Sequence, residues 1–277
     1  MSVAPLMRVS SARTVLRHPG VLVPRREYVF VLGHMRSYSS VLCHVLGSHR
    51  EISGYAEMRL AYRASRDLLR LRIRVAESLD AAPATRLVLD KILHDPYEVA
   101  PSMLAARSSI YPIFLVRRPA DALPSIVSMA RHLGYDEWTD NAGATAYYVR
   151  RLAGLERLGL LCRRPALALR AEDLLEDTTA TLDAIAQFLH LREPLSTSYS
   201  TFPETGVAAR GDFSEVLKSG KIHDAPARTL PTPIPTELLA EAEASYAACL
   251  ATLTRLFGEA SAPGTREPAW EPAGRSP

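Results

Sequence analysis

The stretch from Tyr28 to Leu46, YVFVLGHMRSYSSVLCHVL, constrains the fold of this chain more than any other. Tyr28 to Leu32 is a short apolar run rich in β-branched and aromatic side chains, the pattern of a strand buried on both faces in a parallel sheet. Gly33 breaks the run, Arg36, Ser37, Ser39 and Ser40 follow, and apolar periodicity resumes at Val41, Leu42, Val45 and Leu46. A strand, a turn of small residues and a helix aim several backbone N–H groups and the positive end of a helix at one spot, which suits a phosphate or a sulfate. The same pattern also suits a tight turn between a core strand and a packing helix. The rest of the chain has to decide between the two.

Further strands are expected at Arg86 to Asp90 (RLVLD), Tyr111 to Val116 and Ala166 to Arg170. Helical patterns lie over 59–79, near 98–107, after Pro119, and over 140–160, 172–191 and 235–257, the last ended by Gly258. Strand alternating with helix this regularly predicts an α/β fold of three layers, a central parallel sheet flanked by helices. Ligands of such sheets bind beyond the carboxyl ends of the strands. Arg36, Lys91 and Arg117 are all expected there, three cations at one rim. The arginines of the 59–79 helix read as a solvated charged face without chemistry.

The chain of 277 residues is long enough for one domain with elaborations. Its expected limits are 28–258, after a basic extension (1–27, with Arg8, Arg13, Arg17, Arg25 and Arg26 and no acid before Glu27) and before a disordered Pro/Gly/Ser-rich tail (259–277). A net charge of +3 argues for no nucleic-acid or membrane-surface partner. No apolar run nears the roughly 20 residues of a membrane span. Cys43, Cys162 and Cys249 lack metal-ligand spacing and read as buried thiols of a reducing, cytoplasmic compartment. Of 33 Lys plus Arg, only Lys91, Lys218 and Lys221 are Lys. A compact ammonium and a planar guanidinium are not interchangeable, so each of these three lysines is singled out.

The segment GHMRSYSS lacks the second Gly and the Lys of a nucleotide-triphosphatase loop. It resembles the 5′-phosphosulfate loop of the sulfotransferases that use 3′-phosphoadenosine-5′-phosphosulfate (PAPS) and release the bisphosphate nucleotide PAP. Arg117 and Ser125 in VRRPADALPS are similar to that family's 3′-phosphate motif, an Arg ending a strand with a Ser eight residues on. Lys218-Ser219-Gly220-Lys221 resembles its late basic loop, and ALRAEDLLEDTTATLDAIAQFLHL its common strand-to-helix segment. The resemblance runs from about 28 to 222. It departs at Tyr38, where the family's loop has Gly.

The resemblance implies a P-loop-like fold and a metal-free in-line transfer of the sulfuryl group from PAPS to a hydroxyl of a small molecule or glycan. A sulfuryl group carries less negative charge than a phosphoryl group, so Arg, Lys and N–H donors can serve where a kinase recruits Mg²⁺. Gly33, Arg36, Ser37, Tyr38, Ser39 and Ser40 would then form the phosphosulfate loop, with Arg36 on the leaving oxygen. Lys91 would donate to the sulfuryl or bridging oxygen, and Arg117, Ser125, Lys218, Ser219 and Gly220 would hold the 3′-phosphate. Glu57 lies where tyrosylprotein sulfotransferases and some bacterial sulfotransferases place a carboxylate base. His94 follows the strand after which cytosolic sulfotransferases place a His. Two other readings stay open: an Mg²⁺-dependent phosphotransferase using Arg36 and Asp90, and a non-catalytic binder of PAP or another bisphosphate nucleotide.

Overall fold

A computed structural model describes residues 12–23, 26–81, 85–207, 215–223 and 233–258. Expected features at 1–11, Ala82-Pro83, 211–214, 226–232 and the 259–277 tail lie outside the described residues.

Five strands form one sheet: Glu27–Gly33 (β1), Ile52–Ser53 (β2), Leu87–Ile92 (β3), Ile110–Val116 (β4) and Leu167–Arg170 (β5). The order is β2-β3-β1-β4-β5 and every pairing is parallel. β1 is central because it is apolar on both faces, with Val29, Phe30, Val31 and Leu32 all fully buried. Each such side chain contributes about 1.5–3 kcal/mol by leaving water. One face of the sheet carries the helices Ser65–Leu79, Pro101–Ala106, Pro119–Leu133, Asn141–Leu161 and Thr236–Phe257. The other carries Ser39–Gly47, Asp173–Glu176 and Thr178–Phe188. The expected three-layer α/β architecture is the one observed.

Several details differ from the sequence expectation. β2 has only two residues, too few to show an alternation. The helix expected from 59 begins at Ser65, because Tyr62 is held in a bridge to Val99 by the bonds Tyr62 N–H to Glu98 carbonyl and Ala100 N–H to Tyr62 carbonyl. The helix expected over 172–191 is two, parted at Asp177. Lys91 lies inside β3, not beyond it. Residues 12–23, expected in the N-terminal extension, pack along the helix Ser65–Leu79: Val21 is fully buried and Thr14 donates to Glu77 at 3.2 Å. Cys43 and Cys249 are buried, while Cys162 is partly exposed. No described helix is long and apolar enough to cross a membrane.

Gly33 ends β1 where a larger residue does not fit. A Cβ there would lie 2.9 Å from the Leu115 carbonyl oxygen of β4 and 3.1 Å from Ser37 Oγ. The chain can therefore turn tightly beside β4 and enter the loop that leads to the helix Ser39–Gly47.

Candidate functional site

The loop between β1 and that helix is bent through two non-glycine residues in left-handed backbone, Arg36 (φ 62°) and Tyr38 (φ 57°). Side chains resist that region at a cost of about 1–2 kcal/mol per residue, so the surroundings must hold it. Ser37 Oγ donates to the His34 carbonyl at 2.8 Å, closing the turn from within. Met35 N–H donates to the Tyr147 hydroxyl at 2.9 Å, and that hydroxyl donates to the Leu93 carbonyl at 2.9 Å. The helix that follows has no side-chain cap at its first turn. Its leading N–H groups are the ones that an anion commonly satisfies.

His34 ties this loop to the end of β4. Its Nδ1 donates to the Met35 carbonyl at 2.8 Å and its Nε2 accepts Arg117 N–H at 3.0 Å. Complete burial, with Arg117 and Arg151 adding repulsion, pushes its pKa down to about 3. His34 is therefore a neutral structural link. Arg151, which the sequence reading missed, does similar work across the sheet. Its guanidinium donates to the Gly33 carbonyl at 2.8 Å, to the Ile92 carbonyl at 2.8 Å and to Asp95 Oδ1 at 3.1 Å. A charged residue in the buried stripe Ala144, Tyr147, Tyr148, Leu152, Leu155 was the signal that could have found it.

Around this frame the structure gathers most of the expected site residues. Arg36 Nε donates to Ser125 Oγ at 2.8 Å, joining the loop to the helix Pro119–Leu133. Arg117 donates to the Arg36 carbonyl at 2.8 Å and to the Tyr38 hydroxyl at 2.6 Å, with its Cζ 4.0 Å from the centre of the Tyr38 ring. Arg117 Nε is buried with no hydrogen-bond partner among the described residues, and burial lowers the pKa of the group. Such a cation gains from an incoming anion. Tyr38 thus lies against Arg117, the residue expected at the 3′-phosphate. Arg36, expected on the 5′-phosphosulfate and the leaving oxygen, joins Ser125 in the same group.

Lys91 approaches from the other side of β1. Its side chain is buried and its Nζ donates to Ser40 Oγ at 3.1 Å, at the open end of the helix Ser39–Gly47. Ser39 and Ser40 are buried there as well. On the opposite face of β3, Asp90 accepts Met58 N–H and Lys91 N–H at Oδ1, both at 2.8 Å, and the Tyr62 hydroxyl at Oδ2. Burial first, and the nearby Glu57 charge, push its pKa up to about 7. A carboxyl occupied in this way is a poor Mg²⁺ ligand. It instead pins the strip that carries Glu57.

Glu57 lies in that irregular strip, outside any helix, and its Oε1 is buried with no hydrogen-bond partner among the described residues. Its charge acts on His94, Asp90 and Tyr147. His94 is half-buried, its ring 5.9 Å from those of Trp138 and Tyr147, and burial lowers its pKa. The two candidate bases therefore share one neighbourhood.

Lys218, Ser219 and Gly220 come from a separate segment. Lys218 ends the short helix Glu215–Lys218 with its stem against Gly206, where a Cβ would be 2.3 Å from Lys218 Cε. Gly220 turns in left-handed backbone (φ 72°), and its carbonyl accepts Tyr199 N–H at 2.7 Å. The stretch carrying Gly206, against which Lys218 packs, is joined to the helix Ser39–Gly47 through His44 Nε2 and Thr205 Oγ1, 2.8 Å apart. Among the described residues no three or more His, Cys, Asp or Glu side chains gather as metal ligands.

No family model matches this chain, and no curated protein does. Among solved structures it is similar to the sulfotransferase domain from the curacin biosynthetic pathway, at 16% identity over 79% of this chain and 96% of that one, with a TM-score of 0.44.

Proposed function

We propose that the protein transfers a sulfuryl group from PAPS to a hydroxyl acceptor and releases PAP. The observation that carries this reading is the pair of orphaned buried polar atoms in one region of the fold: Arg117 Nε, a donor beside the Arg36–Ser125 bond, and Glu57 Oε1, an acceptor beside His94. The first suits a bound anion and the second a bound hydroxyl.

In this reading Arg117, Arg36 and Ser125 hold the 3′-phosphate, and Lys218, Ser219 and Gly220 close over it. Ser39, Ser40 and the leading N–H groups of the helix Ser39–Gly47, which no side chain caps, hold the 5′-phosphosulfate with Ser37, Tyr38 and Gly33 shaping the turn. PAPS supplies the activated sulfuryl group. Glu57 accepts the proton of the acceptor hydroxyl as the new O–S bond forms, with His94 as the alternative base. Lys91 stabilises charge on the oxygen that leaves with PAP, a task that suits cations and N–H donors in a low-dielectric site. The unit is proposed to span 28–258 in a cytoplasmic protein.

Calorimetry tests the donor site. PAP is expected to bind without added metal and ATP with Mg²⁺ is not. Arg117→Ala should weaken PAP by about 1.5–3 kcal/mol, the worth of a hydrogen bond to a charged group. ATP·Mg²⁺ binding would point to the phosphotransferase instead, and PAP binding indifferent to Arg117 would remove that residue from the site.

A further inference from the structure

The arginine face expected only to be solvated borders a cavity of about 300 Å³. It is half open to solvent, and its walls are Arg59, Arg63, Arg66 and Arg70 with Asp67, beside Leu60, Ala61, Pro96 and Tyr97. The single acid among them is already engaged. Asp67 Oδ2 accepts the N–H groups of Arg63 and Ala64 at 2.9 and 2.8 Å, and Oδ1 pairs with Arg70 at 2.9 Å. The exposed Arg63 and Arg66 thus stand beside a carboxylate already paired with Arg70. The cavity is strongly positive.

Its position matters as much as its charge. One wall, from Arg59, continues the strip that holds Glu57; two residues of chain span at most about 7 Å. The other wall, Pro96 and Tyr97, follows His94 directly in the turn Asp95–Tyr97. The strip between Met58 and Tyr62 is fastened at both ends to Asp90, and Tyr62 is bridged to Val99. The cavity therefore keeps a set place relative to both candidate bases. Neither base lines the cavity itself, which begins two residues beyond each of them, at Arg59 and at Pro96.

We infer that this cavity is an acceptor subsite for an anionic group, so that the acceptor is a hydroxyl compound that also carries a carboxylate, sulfate or phosphate. The inference rests on the sulfuryl-transfer reading for the identity of the hydroxyl compound as acceptor, but the anion site can be tested alone. 4-Hydroxyphenylacetate and its neutral amide, 4-hydroxyphenylacetamide, are titrated into PAP-saturated protein at low salt. The acid is expected to bind about tenfold more tightly than the amide, as a charge-assisted contact provides. R63A/R66A should abolish that preference and leave PAP affinity unchanged; both side chains are exposed, and thermal unfolding checks the fold of the variant.

Equal binding of the two probes, or no binding of either, overturns the proposal, as does a preference that survives R63A/R66A. If PAP itself does not bind, the donor reading fails, and the same titration into free protein still decides the cavity.

Discussion

Tyr38 carries two demands that pull in different directions. Its backbone sits in the left-handed region, yet its ring and hydroxyl both engage Arg117. The strain of about 1–2 kcal/mol is set against a cation–π contact of about 0.5–2 kcal/mol and a hydrogen bond. Comparing two truncations separates the terms. Tyr38→Gly should be about 1 kcal/mol more stable to urea than Tyr38→Ala, because only glycine is at ease in that backbone, and both should bind PAP more weakly than wild type. Equal stabilities would mean that the loop relaxes once the ring is gone. Glu57 invites a cleaner test, since its buried Oε1 has no hydrogen-bond partner among the described residues. Glu57→Gln should keep PAP affinity and lower turnover by roughly 10²–10⁴-fold, measured with labelled PAPS; if turnover persists, His94 takes the role of base.

At the scale of elements, β3 does two jobs with consecutive residues. Lys91 reaches Ser40 on one face of the sheet while Asp90 pins the Glu57 strip on the other. The buried Asp90 carboxyl has a pKa of about 7. Between the ordinary carboxyl range near pH ~4 and that value, the folded protein keeps a proton that the unfolded chain has released. Stability should therefore fall as pH rises through this window, by an amount on the order of a few kcal/mol, and level off above it. Urea unfolding at a series of pH values should show that slope, and Asp90→Asn should flatten it. The strand itself was legible because its apolar run is long enough to declare a buried strand, as were β1, β4 and β5. Arg36 and Arg117 could be placed at the rim because they follow such runs. β2 was not legible, since two residues carry no period. The start of the helix Ser65–Leu79 was misplaced because a long-range bridge at Tyr62 overrides local periodicity. Arg151 looked like one more arginine of a helix, and only its burial and three partners reveal its work.

Over the whole molecule, the proposed donor site draws on segments far apart in sequence: the loop after β1, Lys91 on β3, Arg117 after β4, Ser125 on the following helix, and the late segment around Lys218. A ligand that joins them stabilises the folded state as a unit. PAP at about a hundredfold above its Kd should add about 2.7 kcal/mol, raising Tm by about 5–10 °C, and Lys218→Ala should shrink that rise by weakening PAP. A thermal shift unaffected by Lys218 would remove the late segment from the site. The rims of β1 and β4, meanwhile, are also coupled through an imidazole whose proton stays on the nitrogen facing Met35. Because protonation of that ring waits until about pH 3, mild acid leaves this link as it is. A residue type that elsewhere serves as a sensor of acidity acts here as a spacer blind to it, so between pH 5 and 8 this link between the two rims keeps one charge state.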